Sequence, residues 1–146
     1  MGKSAILVLC TGNSARSQMA EALLRREVGD RYDVLSAGTE PAERVNPLAV
    51  EVMAEQGYDL SGQHPKHLRE YLGVAPVRTV IIVCDGAAKT CPAVWPGAYE
   101  RLFWPFPDPA SVEGDEDARR QAFRDVRDGL AEKVRTWAAS HAVAAR

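Results

Sequence analysis

The sequence has little of what several large function classes require. It carries three cysteines in 146 residues, an odd number that excludes a fold in which every thiol is locked in a disulfide. Redox or nucleophilic chemistry then has to be weighed against the plainer role of a buried small hydrophobe. No apolar run approaches a membrane span or a secretory core: Ala5 to Leu9 is short, and nothing later is longer. Nor is there a block of one charge sign. Acidic and basic residues interleave to a formal net charge of −2, so the basic face that binds nucleic-acid phosphates by counterion release is missing. Repeats, low-complexity tracts and linkers are also lacking, which leaves no place for a domain boundary and predicts one domain over residues 1–146. These absences imply a cytoplasmic protein without a nucleic-acid or membrane partner. A monomer is expected, although no feature of the sequence encodes the oligomeric state.

What is present is the composition of a folded chain, 46% apolar and 26% charged. Ala5 to Leu9 is too short for a helix and ends at Cys10-Thr11-Gly12-Asn13, as a buried parallel strand feeding a loop does. From Ser17, the apolar positions Met19, Ala20, Leu23, Leu24 and Val28 recur with helical period, and Gly29 supplies a stop. Asp33 to Ser36 reads as a short strand ending at Gly38. Asn46-Pro47 offers a cap and a first-turn proline for a helix through Leu48, Val52 and Met53 to Gly57. His64-Pro65 starts another short helix through Leu68 and Leu72, and the β-branched run Arg78 to Val83 is a second buried strand ending at a cysteine. Tyr99 to Phe103 is a weaker strand, Trp104 to Pro109 a proline-rich loop, and Ala118 to Ala139 an amphipathic helix. Strands alternating with helices predict an α/β fold with a parallel sheet covered on both faces.

The segment Cys10-Thr11-Gly12-Asn13-Ser14-Ala15-Arg16-Ser17 sets a cysteine and an arginine on either side of a strand-to-helix loop. Backbone N–H groups of such a loop, with a helix N-terminus, form a nest for a tetrahedral anion. An arginine in the first helical turn can grip two of the anion's oxygens. A thiol beneath that positive field, with the Ser17 hydroxyl in reach, loses its proton readily and becomes a nucleophile. Gly12 is expected to allow a conformation or close approach that a β-carbon would block, and Asn13 to tolerate the left-handed region. A buried cysteine beside a surface arginine is the competing reading, and the loop's context argues against it. The histidines His64, His67 and His141 read as surface or cap residues, and Trp104 as core. The Cys84 and Cys91 spacing is too wide for a zinc knuckle, and no Cys or His cluster completes a site.

The stretch Leu9-Cys10-Thr11-Gly12-Asn13-Ser14-Ala15-Arg16-Ser17-Gln18-Met19-Ala20-Glu21 closely resembles the signature of the low-molecular-weight tyrosine phosphatase family, in the form found in thioredoxin-coupled arsenate reductases. Ser36-Ala37-Gly38, Asn46-Pro47, Val83-Cys84, Cys91-Pro92, Trp104, Asp108-Pro109-Ala110 and Val126-Arg127-Asp128 stand where that family places them, so the likeness covers nearly the whole chain. The resemblance implies a single-domain, four-stranded parallel sheet flanked by helices on both faces, with the active site at the strands' C-terminal edge. It implies Asp108 as proton donor to the leaving oxygen, against the alternative that Asp108 only starts a turn before Pro109. It also implies Cys84 and Cys91 as a redox pair. In an arsenate reductase Cys84 attacks Cys10 to release arsenite, and Cys91 then takes over the disulfide for thioredoxin.

On this likeness the substrate is arsenate, with phosphate and sulfate as competing oxyanions, no cofactor is bound, and thioredoxin is the reductant. A phosphatase acting on phosphate monoesters through Cys10, Arg16 and Asp108 is the alternative, and a non-enzymatic oxyanion-binding module a second. Ala110 stands where phosphatases of this fold usually carry a tyrosine after Asp-Pro, which favours a small inorganic substrate. Ala15 replaces a cysteine common among relatives, and that cysteine is not one of the redox three. Some members bind potassium through residues matching Asn13, Glu21, Ser36 and an aspartate whose place falls near Lys66. The expectation here is that the Lys66 ammonium sits in the cation position and pairs with Glu21, a solvated surface lysine being the alternative. No metal is otherwise expected.

Overall fold

The computed structural model describes residues 3–83 and 98–142. Within them the chain forms β1 (Ala5–Cys10), α1 (Arg16–Val28), β2 (Asp33–Gly38), α2 (Pro47–Ala54), β3 (Val77–Ile82), β4 (Glu100–Phe103) and α3 (Glu116–Ala142), with short 3-10 turns at Leu68–Glu70 and Pro109–Ser111. The four strands make one sheet in the order β2-β1-β3-β4, every pair parallel. This is the four-stranded parallel sheet that was expected.

Central position explains the strand sequences. All six residues of β1 are buried, so successive side chains on both faces of the sheet are covered, as a continuous apolar run requires. Ile6, Leu7, Leu9 and Ile81 from the sheet meet Met19 and Leu24 of α1, Met53 of α2 and Phe123 and Leu130 of α3 in one core. Burying each of these side chains stabilises the fold by about 1.5–3 kcal/mol. Asn46 caps α2 by accepting from the Leu48 N–H at 2.9 Å, and Pro47 opens the helix. In-register pairing of Cys10 with Gly38 and of Ile82 with Phe103 puts all four strand ends at one edge of the sheet.

Several bounds differ from the sequence reading. The helix expected from His64 to Leu72 is only the turn Leu68–Glu70. The cause is tertiary: Gly38 N–H donates to the Lys66 carbonyl at 2.8 Å, and Gly38 and His67 form an isolated parallel bridge. These residues therefore extend the sheet instead of winding into a helix. The His67 ring caps what remains, Nδ1 accepting from the Arg69 N–H at 3.1 Å. α2 ends at Ala54 rather than reaching Gly57, where the chain turns with φ of +84°. α3 begins earlier than expected, because Asp115 accepts from the Ala118 N–H at 2.8 Å and caps the added turn.

Candidate active site

At the end of β1, Cys10 is buried and the chain curls through residues 11–15 into α1. Asn13 has φ of +49°, the left-handed conformation its side chain tolerates. The loop's carbonyls are all engaged on its outer side. Thr11 O accepts from the Glu40 N–H at 2.9 Å, Gly12 O from the Ala42 N–H at 2.9 Å and Ser14 O from the Asn46 N–H at 2.7 Å. Asn13 O accepts from Gln18 Nε2 at 3.0 Å. A trans peptide holds each N–H antiparallel to the preceding C=O. The N–H groups of Gly12, Asn13, Ser14 and Ala15 therefore face away from these partners, and among the described residues no main-chain carbonyl accepts from them. An inward-facing row of main-chain N–H groups is the arrangement that an anion nest requires.

Side chains hold that curl rigidly. Asn13 Nδ2 donates to Ser17 Oγ at 2.7 Å and to Ser36 Oγ at 3.0 Å. Asn13 Oδ1 accepts from Gln18 Nε2 at 3.1 Å and from the Lys66 N–H at 2.9 Å. Ser36 in turn donates to Glu21 Oε1 at 2.5 Å. Asn13, Ser17, Gln18, Glu21 and Ser36 are all buried, so the network is low-dielectric and, among the described residues, no buried side-chain polar atom lacks a partner.

Arg16 opens α1 and is half-buried. Its Nη1 donates to the Phe106 carbonyl at 2.9 Å, tying the Cys10 loop to the segment that carries Asp108. Asp108 is exposed and caps the following 3-10 turn, accepting from the Ala110 N–H at 3.0 Å. The turn-starting role is therefore real, and the aspartate sits in the loop that Arg16 contacts. The Val83 N–H donates to Leu9 O at 3.0 Å, so β3 brings the chain alongside β1 as far as Val83. Cys84 and Cys91 lie outside the described residues.

Two expectations are corrected. Gly12 needs neither a left-handed φ nor extra room within the chain, since a β-carbon there would meet only Ser14 Oγ at 3.5 Å. The glycine the loop requires is Gly38, whose β-carbon would collide with Thr11 O and come within 3.1 Å of Asn13 Cβ and N. A glycine closing a strand was the available signal. The Lys66 ammonium does not pair with Glu21. It donates to the His64 carbonyl at 2.7 Å, while Glu21 Oε2 is bridged to Arg25 at 2.6 Å. Burial pulls the Lys66 pKa below its ordinary value, with Glu21 opposing the shift. Burial likewise pushes the nearby Tyr71 phenol up to about 12. Both line a cavity of about 330 Å³ with Glu21 and Arg25. Asn13, Glu21 and Ser36 do come together as foreseen. Gln18 was missed as the hub it is, since nothing marks a buried glutamine in a helical pattern. Among the described residues no cluster of His, Cys, Asp and Glu is suited to a metal, and no helix is long and apolar enough to cross a membrane.

The family model for low molecular weight phosphotyrosine protein phosphatase matches residues 5–145. An arsenate reductase of Halalkalibacterium halodurans is 44% identical over 138 residues, covering 94% of this chain and 97% of the relative. Among solved structures, an arsenate reductase in the phosphate binding state superposes with a TM-score of 0.74 at 28% identity, covering 94% of this chain and 98% of that one. A thioredoxin-dependent arsenate reductase of Corynebacterium glutamicum gives 0.73 at 26% identity, covering 97% of this chain and 63% of that one.

Proposed function

The chain belongs to the low molecular weight phosphotyrosine protein phosphatase family, and from that premise we propose that it reduces arsenate to arsenite through Cys10, Cys84 and Cys91, with thioredoxin as the electron donor. The observation that carries the reading is the loop over Cys10, whose carbonyls are all bound outside. Four N–H groups and the Arg16 guanidinium are thereby left for a tetrahedral oxyanion. The high identity to an arsenate reductase over nearly the whole chain favours reduction over ester hydrolysis.

Arsenate enters the nest with its charge spread over the amides and Arg16. The Cys10 thiolate attacks arsenic, one As–O bond breaks, and Asp108 donates the proton that lets the oxygen leave as water. Cys84 then attacks Cys10 Sγ as the thiolate, its proton passing to an oxygen of the departing arsenite. As the S–S bond forms and the S–As bond breaks, the electron pair stays on arsenic and arsenite departs as As(III). Cys91 attacks Cys84 Sγ, moving the disulfide to Cys84–Cys91 and returning Cys10 to the thiolate. Thioredoxin's dithiol takes over that disulfide by exchange, supplying the two electrons each turnover consumes. The cytoplasm, where thiols are kept reduced, is the compartment in which such a cycle closes. Phosphate and sulfate fit the same nest and compete with arsenate without accepting electrons.

The test is NADPH oxidation with arsenate, thioredoxin and thioredoxin reductase, run beside p-nitrophenyl phosphate hydrolysis. The relay requires arsenate-dependent oxidation that disappears in both Cys84→Ala and Cys91→Ala. Rapid ester hydrolysis that both variants retain, without NADPH loss, would instead identify a phosphatase using only Cys10, Arg16 and Asp108.

A further inference from the structure

Gly129 lies inside α3, well away from the Cys10 loop in sequence. Its φ is not left-handed, and a helix interior is a place where glycine weakens the fold relative to alanine. Space explains it. A β-carbon on Gly129 would stand 2.6 Å from Phe106 Cε1, 3.4 Å from Cζ and 3.6 Å from Cδ1, so the Phe106 ring rests on the bare helix backbone.

Phe106 is held at three points. Its ring sits on Gly129, its N–H donates to Val83 O at 3.2 Å, and its carbonyl accepts from Arg16 Nη1 at 2.9 Å. It stands between Pro105 and Pro107. The second of these disfavours helical backbone at Phe106, and each proline fixes its own φ. Ring, carbonyl and the adjoining Asp108 are therefore carried on one stiff segment.

We propose that Gly129 is a positioning residue, one that seats the Phe106 ring and thereby sets the carbonyl that aims the Arg16 guanidinium at the oxyanion nest. Spending one guanidinium N–H on Phe106 fixes the plane of the fork and leaves its remaining donors for two oxygens of the anion. The inference rests on the oxyanion role given to Arg16 above and holds for any tetrahedral anion in the nest.

Phe106 lines two cavities of about 340 and 380 Å³, so a displaced ring has somewhere to go and the Gly129→Ala protein should fold. The experiment measures three quantities for the wild type, Gly129→Ala, Phe106→Leu and the double variant. They are thermal midpoint, inorganic sulfate affinity by calorimetry, and arsenate turnover. The helix preference of alanine and the displacement of the ring move the midpoint in opposite directions, so the midpoint serves to show that the variant is folded, and a purely structural role changes it and leaves sulfate affinity alone. Positioning adds a loss of about tenfold or more in sulfate affinity and in kcat/KM, because a small misplacement of a clamp is costly. It also makes the pair non-additive: once Phe106 is leucine, adding Gly129→Ala costs nothing further. Unchanged sulfate affinity in Gly129→Ala, or additive losses in the double variant, would overturn the proposal. Sulfate binding that responds as expected in a protein unable to reduce arsenate would leave it standing while refuting the reductase reading.

Discussion

Gly38, the last residue of β2, lies directly against Asn13, the left-handed residue of the Cys10 loop: a β-carbon on Gly38 would come within 3.1 Å of both Asn13 Cβ and Asn13 N. The same carbon would strike the Thr11 carbonyl, which is main chain and cannot swing aside. Gly38→Ala should therefore push the loop off the sheet edge. It is expected to destabilise by about 1–3 kcal/mol in urea melts and to abolish sulfate binding in calorimetry. A variant that binds sulfate normally would mean that the loop tolerates displacement.

Asn13 supplies both the backbone conformation and the bonds that hold it, and two substitutions separate these. Asn13→Gly keeps easy access to a positive φ but removes the donors to Ser17 and Ser36 and the acceptor for Gln18 and Lys66. Asn13→Ala adds the left-handed penalty. The alanine variant is expected to lose about 3 kcal/mol and the glycine variant less, with both losing oxyanion affinity. Equal stability for the two would show that conformation contributes nothing at this position.

The parts of the molecule legible in the sequence are those set by local pattern. β1 and β3 are continuous apolar runs, α1 and α3 have helical period, and Asn46-Pro47 is a cap with a mechanism. The Cys10 loop was readable because Asn13 and Arg16 each have a local chemical reason to be there. What escaped depends on partners distant in the chain. Residues 66–67 extend because Gly38 pairs with them, Glu21 turns to Arg25 within its own helix and leaves Lys66 to His64, and Gly129 is explained only by the ring laid upon it. No periodicity encodes such contacts.

Glu55 joins α2 to α3 by receiving Arg124 Nη2 at 2.7 Å and Arg127 Nη1 at 2.8 Å. The Arg124 and then the Arg127 hydrogen bonds hold its carboxyl at about 2, against an ordinary 4.5. A carboxylate depressed by folding contributes stability above its unfolded pKa and loses that contribution as pH falls from about 4.5 toward 2. Urea midpoints followed from pH 6 to pH 2 should differ between the wild type and Glu55→Gln by a constant amount above about pH 4.5 and draw together as the pH falls from about 4.5 toward 2. Parallel curves would show that the ion pairs add nothing in solution.

Both oxygens of the Glu21 carboxylate are occupied, Oε1 by the Ser36 hydroxyl and Oε2 by Arg25. The Asn13 side-chain oxygen beside them already accepts from Lys66 N–H and Gln18. A monovalent cation entering here would have to displace an arginine that compensates the only carboxylate in this buried network, so its gain would be small against the desolvation it undergoes. Thermal midpoint and turnover are therefore expected to be equal in potassium and sodium chloride at matched ionic strength. Arg25→Met removes the compensating charge, and in that variant potassium should raise the midpoint more than sodium does. A wild type already stabilised selectively by potassium would mean that the Arg25 bridge opens in solution and that Glu21 is available to a cation after all.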